Sequence, residues 1–274
     1  MACYYPRPAW REKHPNKNGR HEMTFSHRGS QLTEDAMIPC GKCEGCRATH
    51  RLEWAIRMHH ESLTHEQNSF LTLTYEDAPE KLDVNHLQTF IKRLRRRVST
   101  PLRYFACGEY GEETHRAHYH AIIFGHDFRG GSFPIDDRMY GNTLIDRIWS
   151  HGTCSIDDVN MAGCCYVAGY VTKKIKDTDT FNIMSRKPPI GYKYAVQMQD
   201  QLARLEHVVI EGSKLPIPKV YLEWAETTKS RPQAVELDTV RGNRRKHLVH
   251  RTPQQLRNRE INQKARAAQR EHKI

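Results

Sequence analysis

The segment His118-Tyr119-His120-Ala121-Ile122-Ile123-Phe124 constrains this chain more than any other. A strand alternates its side chains, so both histidines leave the same face and form a clamp of two imidazole nitrogens. Downstream, Tyr166 and Tyr170 are four residues apart, a spacing that puts both phenols on one side of a helix. Each pair alone has a plainer reading: polar surface for the histidines, core packing for the tyrosines. Together they suggest phosphodiester cleavage through a phosphotyrosine, with the histidines holding a metal.

Charge narrows the class of partner. The 274 residues carry a formal net charge of +11, which favours a polyanion, and nucleic acid fits better than a membrane. No run of roughly 18 apolar residues occurs, and Met1-Ala2-Cys3-Tyr4-Tyr5-Pro6-Arg7 lacks the apolar segment of a secretory signal. A soluble intracellular protein is expected. Eight cysteines are too few for a disulfide scaffold at this length, so a reducing compartment follows. Cys40, Cys43 and Cys46 are spaced like zinc ligands around Gly41, Lys42 and Gly45, and Cys3, His50 and Cys107 are the candidates for a fourth ligand. The competing reading of that turn is a simple cap on the helix that follows.

Periodicity sets out the rest. Residues 1 to 38 show little pattern and read as an arm. A helix is expected from Arg47 to Leu63, with Leu52, Ala55, Ile56, His59 and Leu63 on one face. Ser69 to Tyr75 reads as a central strand, sending Leu71, Leu73 and Tyr75 one way and Phe70, Thr72 and Thr74 the other. Asp83 caps a helix with a stripe of Leu87, Phe90, Ile91, Leu94 and Val98, while Lys92, Arg93, Arg95, Arg96 and Arg97 make its remainder basic.

Leu102 to Tyr110 and the histidine strand form an antiparallel hairpin. From there Glu109 can reach His118 and His120 as a third ligand. Residues 125 to 141 read as a Gly- and Asp-rich loop, Thr143 to Trp149 as a short helix, and Thr153 to Ile156 as an edge strand. The tyrosine helix is expected over Met161 to Lys176, with Gly163 and Gly169 admitting another backbone. A basic loop with Arg186 and Lys187 follows, then an extended segment at Ile217 to Leu222. Beyond Val240 a basic, partly helical appendage is expected, with Thr252-Pro253 able to start a helix.

Phe70-Leu71-Thr72-Leu73-Thr74-Tyr75, His118-Tyr119-His120 and Tyr166-Val167-Ala168-Gly169-Tyr170-Val171-Thr172-Lys173-Lys174 resemble, in order, the three motifs of HUH rolling-circle replication initiators. More narrowly the chain resembles the initiators of gokushoviruses, small circular single-stranded DNA phages. Pro39-Cys40-Gly41-Lys42-Cys43-Glu44-Gly45-Cys46-Arg47, Gly108-Glu109-Tyr110-Gly111 and Ser185-Arg186-Lys187-Pro188 support this, over about residues 38 to 192. Tyr119 is a less typical occupant of the position between the histidines.

The resemblance implies an α+β fold with a central antiparallel sheet flanked by helices. It implies an HUH endonuclease domain over residues 39–225 that includes the cysteine cluster, between an arm at 1–38 and a basic extension at 226–274. It also implies nicking of origin single-stranded DNA through a 5′-phosphotyrosyl link, with rejoining of strands. Mg or Mn is the expected ion, held by His118, His120 and Glu109, and structural Zn is the second expected cofactor. Tyr166 and Tyr170 are the expected nucleophiles. Lys173 and Lys174 follow them within reach of the same helix face and lean the first attack toward Tyr170. Arg186 and Lys187 are expected to bind DNA. The expected setting is the cytoplasm of a bacterial host, with host replication proteins as further partners.

Two other readings compete. A histidine-triad nucleotide hydrolase wants a third histidine where Ile122 stands. A non-catalytic zinc-dependent DNA-binding protein would make the paired tyrosines structural. The distance between the phenols and the histidine pair separates these from the nickase.

Overall fold

Strand β6 (Ala117–Phe124) is buried along most of its length, and its alternation decides the architecture of this computed structural model. Tyr119, Ala121 and Ile123 point to one face of the sheet, His120, Ile122 and Phe124 to the other. A strand apolar on both faces must be covered on both. The structure describes residues 3–14, 16, 21–27, 29, 32–111, 115–173, 180–205, 207–228 and 252–271. The chain divides into two units, Met1–His50 with Ser230–Ile274, and Arg51–Lys229.

The second unit is built on a seven-stranded sheet. Beside β6 lie β4 (Asn68–Thr74) and β5 (Arg103–Tyr110), both antiparallel to it. Beyond β5 comes β10 (Phe181–Met184), and beyond β4 come β9 (Cys154–Asp157), β8 (Tyr140–Gly141) and β7 (Phe133–Pro134). The expected fold class is observed: a large antiparallel sheet flanked by helices.

On one face lie α2 (Val84–Arg97) and α3 (Thr143–Trp149), which bury Leu87, Phe90, Ile91, Leu94, Ile145, Ile148 and Trp149 against Leu71, Leu73, Tyr119 and Ile123. Asp83 caps α2 as expected, its carboxylate accepting the Asn85 N–H at 2.8 Å. Val98 falls outside the helix as its extended C-cap. The other face carries the second-unit part of α1 (Glu44–Ser62) and α4 (Met161–Lys173), which pack Ala55, Met58, Cys164, Val167 and Ala168 against Phe105, Ile122 and Phe124.

Several local expectations change. Thr153 to Ile156 is not an edge strand, because two residue pairs inside the 125–141 loop form β7 and β8 and cover β9. Leu63 lies past α1 and is exposed, whereas His60 and Glu61 are buried. Residues 217 to 222 are not extended. A hairpin of β11 (His207–Ile210) and β12 (Ser213–Pro216) precedes α7 (Lys219–Thr228), whose Tyr221, Leu222 and Ala225 recur at helical spacing and are buried. Short helices α5 (Tyr192–Gln197) and α6 (Gln199–Arg204) precede that hairpin.

The first unit contains a three-stranded antiparallel sheet where little periodicity was visible: β1 (Arg7–Glu12) between β2 (Met23–Thr24) and β3 (Thr33–Ile38). Its burial is too partial to leave a clear alternating pattern. Helix α8 (Pro253–Glu271) starts where expected, through a reciprocal cap. The Gln255 N–H donates to the Thr252 hydroxyl at 3.2 Å, and the Thr252 N–H to the Gln255 side-chain oxygen at 3.0 Å.

Candidate active site

The hairpin register places Glu109 directly opposite His118, and Cys107 opposite His120. Alternation then aims Glu109, His118 and His120 from one face toward a common point. Their ligand atoms lie within 4.8 Å of one another. Oε1 of Glu109 is 2.7 Å from Nε2 of His118 and 2.8 Å from Nε2 of His120. Glu109 and His120 are buried and His118 is partly so.

The far sides of both rings are fixed as well. His118 Nδ1 lies 3.1 Å from the carbonyl of Arg116, which can only accept, so Nδ1 carries a proton and a neutral ring leaves its Nε2 lone pair toward Glu109. His120 Nδ1 lies 3.1 Å from the Thr72 hydroxyl, on the neighbouring strand β4 and opposite His120 in register. Thr72 was assigned to this face by alternation, yet its role depends on a strand register that its own segment does not reveal.

Helix α4 brings both tyrosines to the same place. The Tyr166 hydroxyl donates to Glu109 Oε1 at 2.9 Å, and Tyr170 also hydrogen-bonds Glu109. The Tyr166 ring stands edge-on to His120 with centroids 5.0 Å apart, and the Tyr170 ring stacks toward it at 6.5 Å. The two tyrosine rings are 5.4 Å apart. Their exposure differs sharply: Tyr166 is 48% exposed and Tyr170 6%. Gly163 lets α4 approach, though against the Phe70 ring rather than another backbone, where an added Cβ would come within 3.3 Å. At Gly169 a Cβ would meet nothing within 4 Å among the described residues.

Burial by itself would raise the Glu109 carboxyl, but hydrogen bonds from His118, His120 and Tyr170 outweigh it and hold the group far below the usual carboxylate range. Burial disfavours charge on both imidazoles. At His118 the Glu109 contact and the Arg116 carbonyl prevail and raise it, while at His120 burial prevails and lowers it. Burial pushes the Tyr166 phenol up to about 12, and the adjacent Glu109 adds to the effect. Tyr170 is raised further by the same causes.

Other expected residues are not assembled here. Lys174 and the Lys173 side chain lie outside the described residues. Arg186 and Lys187 are exposed in a turn anchored at the opposite end of β5, where Arg103 donates to the carbonyls of Lys187 at 3.3 Å and Pro188 at 2.7 Å. Arg103 and Glu109 are six residues apart on one strand, about 20 Å. In the first unit Cys40, Cys43 and Cys46 converge with Cys3, all four Sγ atoms lying within 4.8 Å of one another. His50 is not among them, and Cys107 is buried in β5.

Comparison with known proteins agrees with this arrangement. The family model for replication-associated protein ORF2 matches residues 68–175, which include β4, Glu109, both histidines and both tyrosines. The replication-associated protein VP4 of Bdellovibrio phage phiMH2K is 35% identical over 214 residues, covering 68% of this chain and 67% of that protein. ORF2 of Spiroplasma virus 4, also a replication-associated protein, is 30% identical over 263 residues, 81% of this chain and 79% of the relative. Replication-associated protein ORF4 of Chlamydia phage 1 is 29% identical over 209 residues, 67% of this chain, which spans about half (52%) of that relative's length. No solved structure matches. The chain belongs to the phage replication-associated proteins, as a replication initiator of the gokushovirus type.

Proposed function

We propose that this initiator nicks single-stranded DNA at a phage origin and rejoins strands, with Tyr166 and Tyr170 as nucleophiles. The observation that carries the reading is the convergence of His118 Nε2, His120 Nε2 and the Tyr166 hydroxyl on one oxygen of Glu109, at 2.7 to 2.9 Å. A histidine-triad hydrolase gives no role to tyrosines at that point, and a purely structural pair gives no reason for a half-exposed phenol there.

Two imidazoles and a carboxylate fit a divalent ion such as Mg or Mn, which His118, His120 and Glu109 would hold. When bound, such an ion polarises a phosphoryl oxygen. The chain itself supplies the nucleophile. A tyrosine oxygen forms a bond to the scissile phosphorus as the bond from phosphorus to the 3′ oxygen breaks. The phosphate stays on the tyrosine as a 5′-phosphotyrosyl link, and the leaving oxygen takes a proton to become a 3′-hydroxyl. That hydroxyl is a primer for a DNA polymerase.

A phenol raised to about 12 is a weak nucleophile at neutral pH, so positive charge at the site must offset the shift. Lys173 and Lys174 are assigned that role, and Arg186 and Lys187 a grip on the strand away from the chemistry. Spacing from the lysines leaned the first attack toward Tyr170, but the exposures favour Tyr166, which a phosphate can reach without moving α4. Tyr170 then serves the second transfer that closes the displaced circle. The setting is the cytoplasm of an infected bacterium, where host replication proteins would extend the primer. No described helix is long and apolar enough to cross a membrane.

The test is incubation of purified protein with labelled origin single strands and Mg²⁺ or Mn²⁺. A metal-dependent nick and a covalent protein–DNA band are expected. Cleavage without an adduct would overturn the tyrosine mechanism.

A further inference from the structure

The cysteine grouping in the first unit has a geometry that the nicking reaction does not use. We propose that Cys3, Cys40, Cys43 and Cys46 form a closed four-thiolate zinc centre that locks the N-terminal sheet to the start of α1.

The distances suit a single ion. Four sulfurs at about 2.3 Å from a tetrahedrally coordinated zinc lie about 3.8 Å apart along each edge. Cys40 Sγ to Cys46 Sγ is 4.0 Å, Cys43 Sγ to Cys3 Sγ is 4.0 Å, and no ligand-atom pair in the group exceeds 4.8 Å. A disulfide brings its sulfurs to about 2.04 Å, half the observed separation. Thiolate donors select a soft or borderline ion over Mg or Mn, so this centre and the Glu109 site differ in chemistry.

Second-sphere contacts point the same way. The Cys40 N–H donates to Cys3 Sγ at 3.2 Å, the Cys43 N–H to Cys40 Sγ at 3.4 Å, and the Tyr4 N–H to Cys43 Sγ at 3.4 Å. Such donors disperse the negative charge that four thiolates concentrate. Gly41, at φ +75°, lets the chain double back between Cys40 and Cys43. Cys3 is buried, and no ligand position remains open for substrate.

The topology explains why an ion is useful there. Cys3 precedes β1 and Cys40 follows β3, at the end of their ladder where Arg7 pairs with Ile38. Cys43 and Cys46 open α1. The three strands bury few side chains, Ala9 and Thr33 among them, so hydrophobic burial alone holds them weakly. One ion ties three otherwise separate pieces of chain, and its binding free energy becomes folding free energy.

The experiment uses the full chain carrying His118→Ala and His120→Ala, which removes the other metal site from the measurement. Expected are one zinc per chain after chelator-free purification and, on exchange with Co²⁺, a sulfur-to-cobalt charge-transfer band with the intense visible bands of tetrahedral thiolate coordination. Cys3→Ser should shift those bands and weaken zinc retention at least tenfold, while Cys165→Ser should leave both unchanged. Should Cys3→Ser not fold, alkylation of the parent protein read by mass spectrometry decides. All four thiols should be protected together and become reactive together on chelation. No bound zinc, iron in its place, or a Cys3 that alkylates while the other three stay protected would each overturn the proposal.

Discussion

The Tyr166 hydroxyl donates to Glu109 at 2.9 Å across 57 residues of sequence, so the half-exposed phenol sits at the oxygen on which both histidines converge. Tyr170, one helical turn on, bonds the same carboxylate from a buried position.

Unequal effects of the two phenols follow from that difference. Tyr166→Phe should abolish the first covalent adduct, whereas Tyr170→Phe should spare nicking and impair strand transfer, and the double variant should form no adduct. Peptide mapping of trapped protein–DNA complexes checks this. A DNA-linked peptide containing neither tyrosine would contradict the mechanism.

Removing metal donors should separate chemistry from binding. His118→Ala and His120→Ala should each lower metal-dependent cleavage by about 100-fold or more while leaving salt-sensitive DNA binding largely intact. Glu109→Gln should weaken metal affinity less, and Thr72→Val, which removes the hydroxyl beside His120 Nδ1, by about 10- to 100-fold. Calorimetric titration with Mn²⁺ reads all four. Wild-type affinity in Glu109→Gln would remove that residue from the site.

Tyr119 holds the start of α2. Its hydroxyl donates to the Asp83 carbonyl at 3.0 Å, accepts the Asp83 N–H at 3.1 Å and meets the Tyr75 hydroxyl at 2.8 Å. Tyr119→Phe leaves those groups short of a partner and should destabilise the fold by about 1–3 kcal/mol, measured by urea denaturation, without altering metal affinity.

Acid should loosen the anchor of the 185–191 turn. Burial alone would raise Glu61, but hydrogen bonds from His65, the Gly191 N–H at 2.7 Å and Arg103 hold its carboxyl below the ordinary 4.5. A depressed carboxylate stabilises the fold fully above its unfolded value and progressively less as pH falls through the folded one. Thermal melts of Glu61→Gln should therefore show a smaller loss below about pH 4.5 than wild type does. Parallel curves would exclude this contribution.

Exposed arginines on α8 offer a test of the basic extension. Replacing Arg257, Arg259 and Arg266 by Gln should reduce the slope of log affinity against log salt for single-stranded DNA by about 2, without abolishing cleavage at low salt. A constant slope would mean that these residues do not touch phosphate.

Local pattern carried much of this molecule. Alternation along His118 to Phe124, the four-residue step from Tyr166 to Tyr170, the α2 stripe and the Thr252 cap all concern neighbours within a turn or a strand, where backbone geometry leaves few choices. The Glu109 reach was legible for the same reason, since a hairpin joins its strands through a short connection. Long-range pairing was different. That Cys3 rather than His50 or Cys107 joins the other three cysteines, that Thr72 faces His120, that β7 and β8 cover β9, and that Tyr170 is buried while Tyr166 is not, all depend on which distant segments pack together. Such choices are set by the summed burial and hydrogen bonding of the whole fold, a sum to which each residue contributes and which no single stretch of sequence displays.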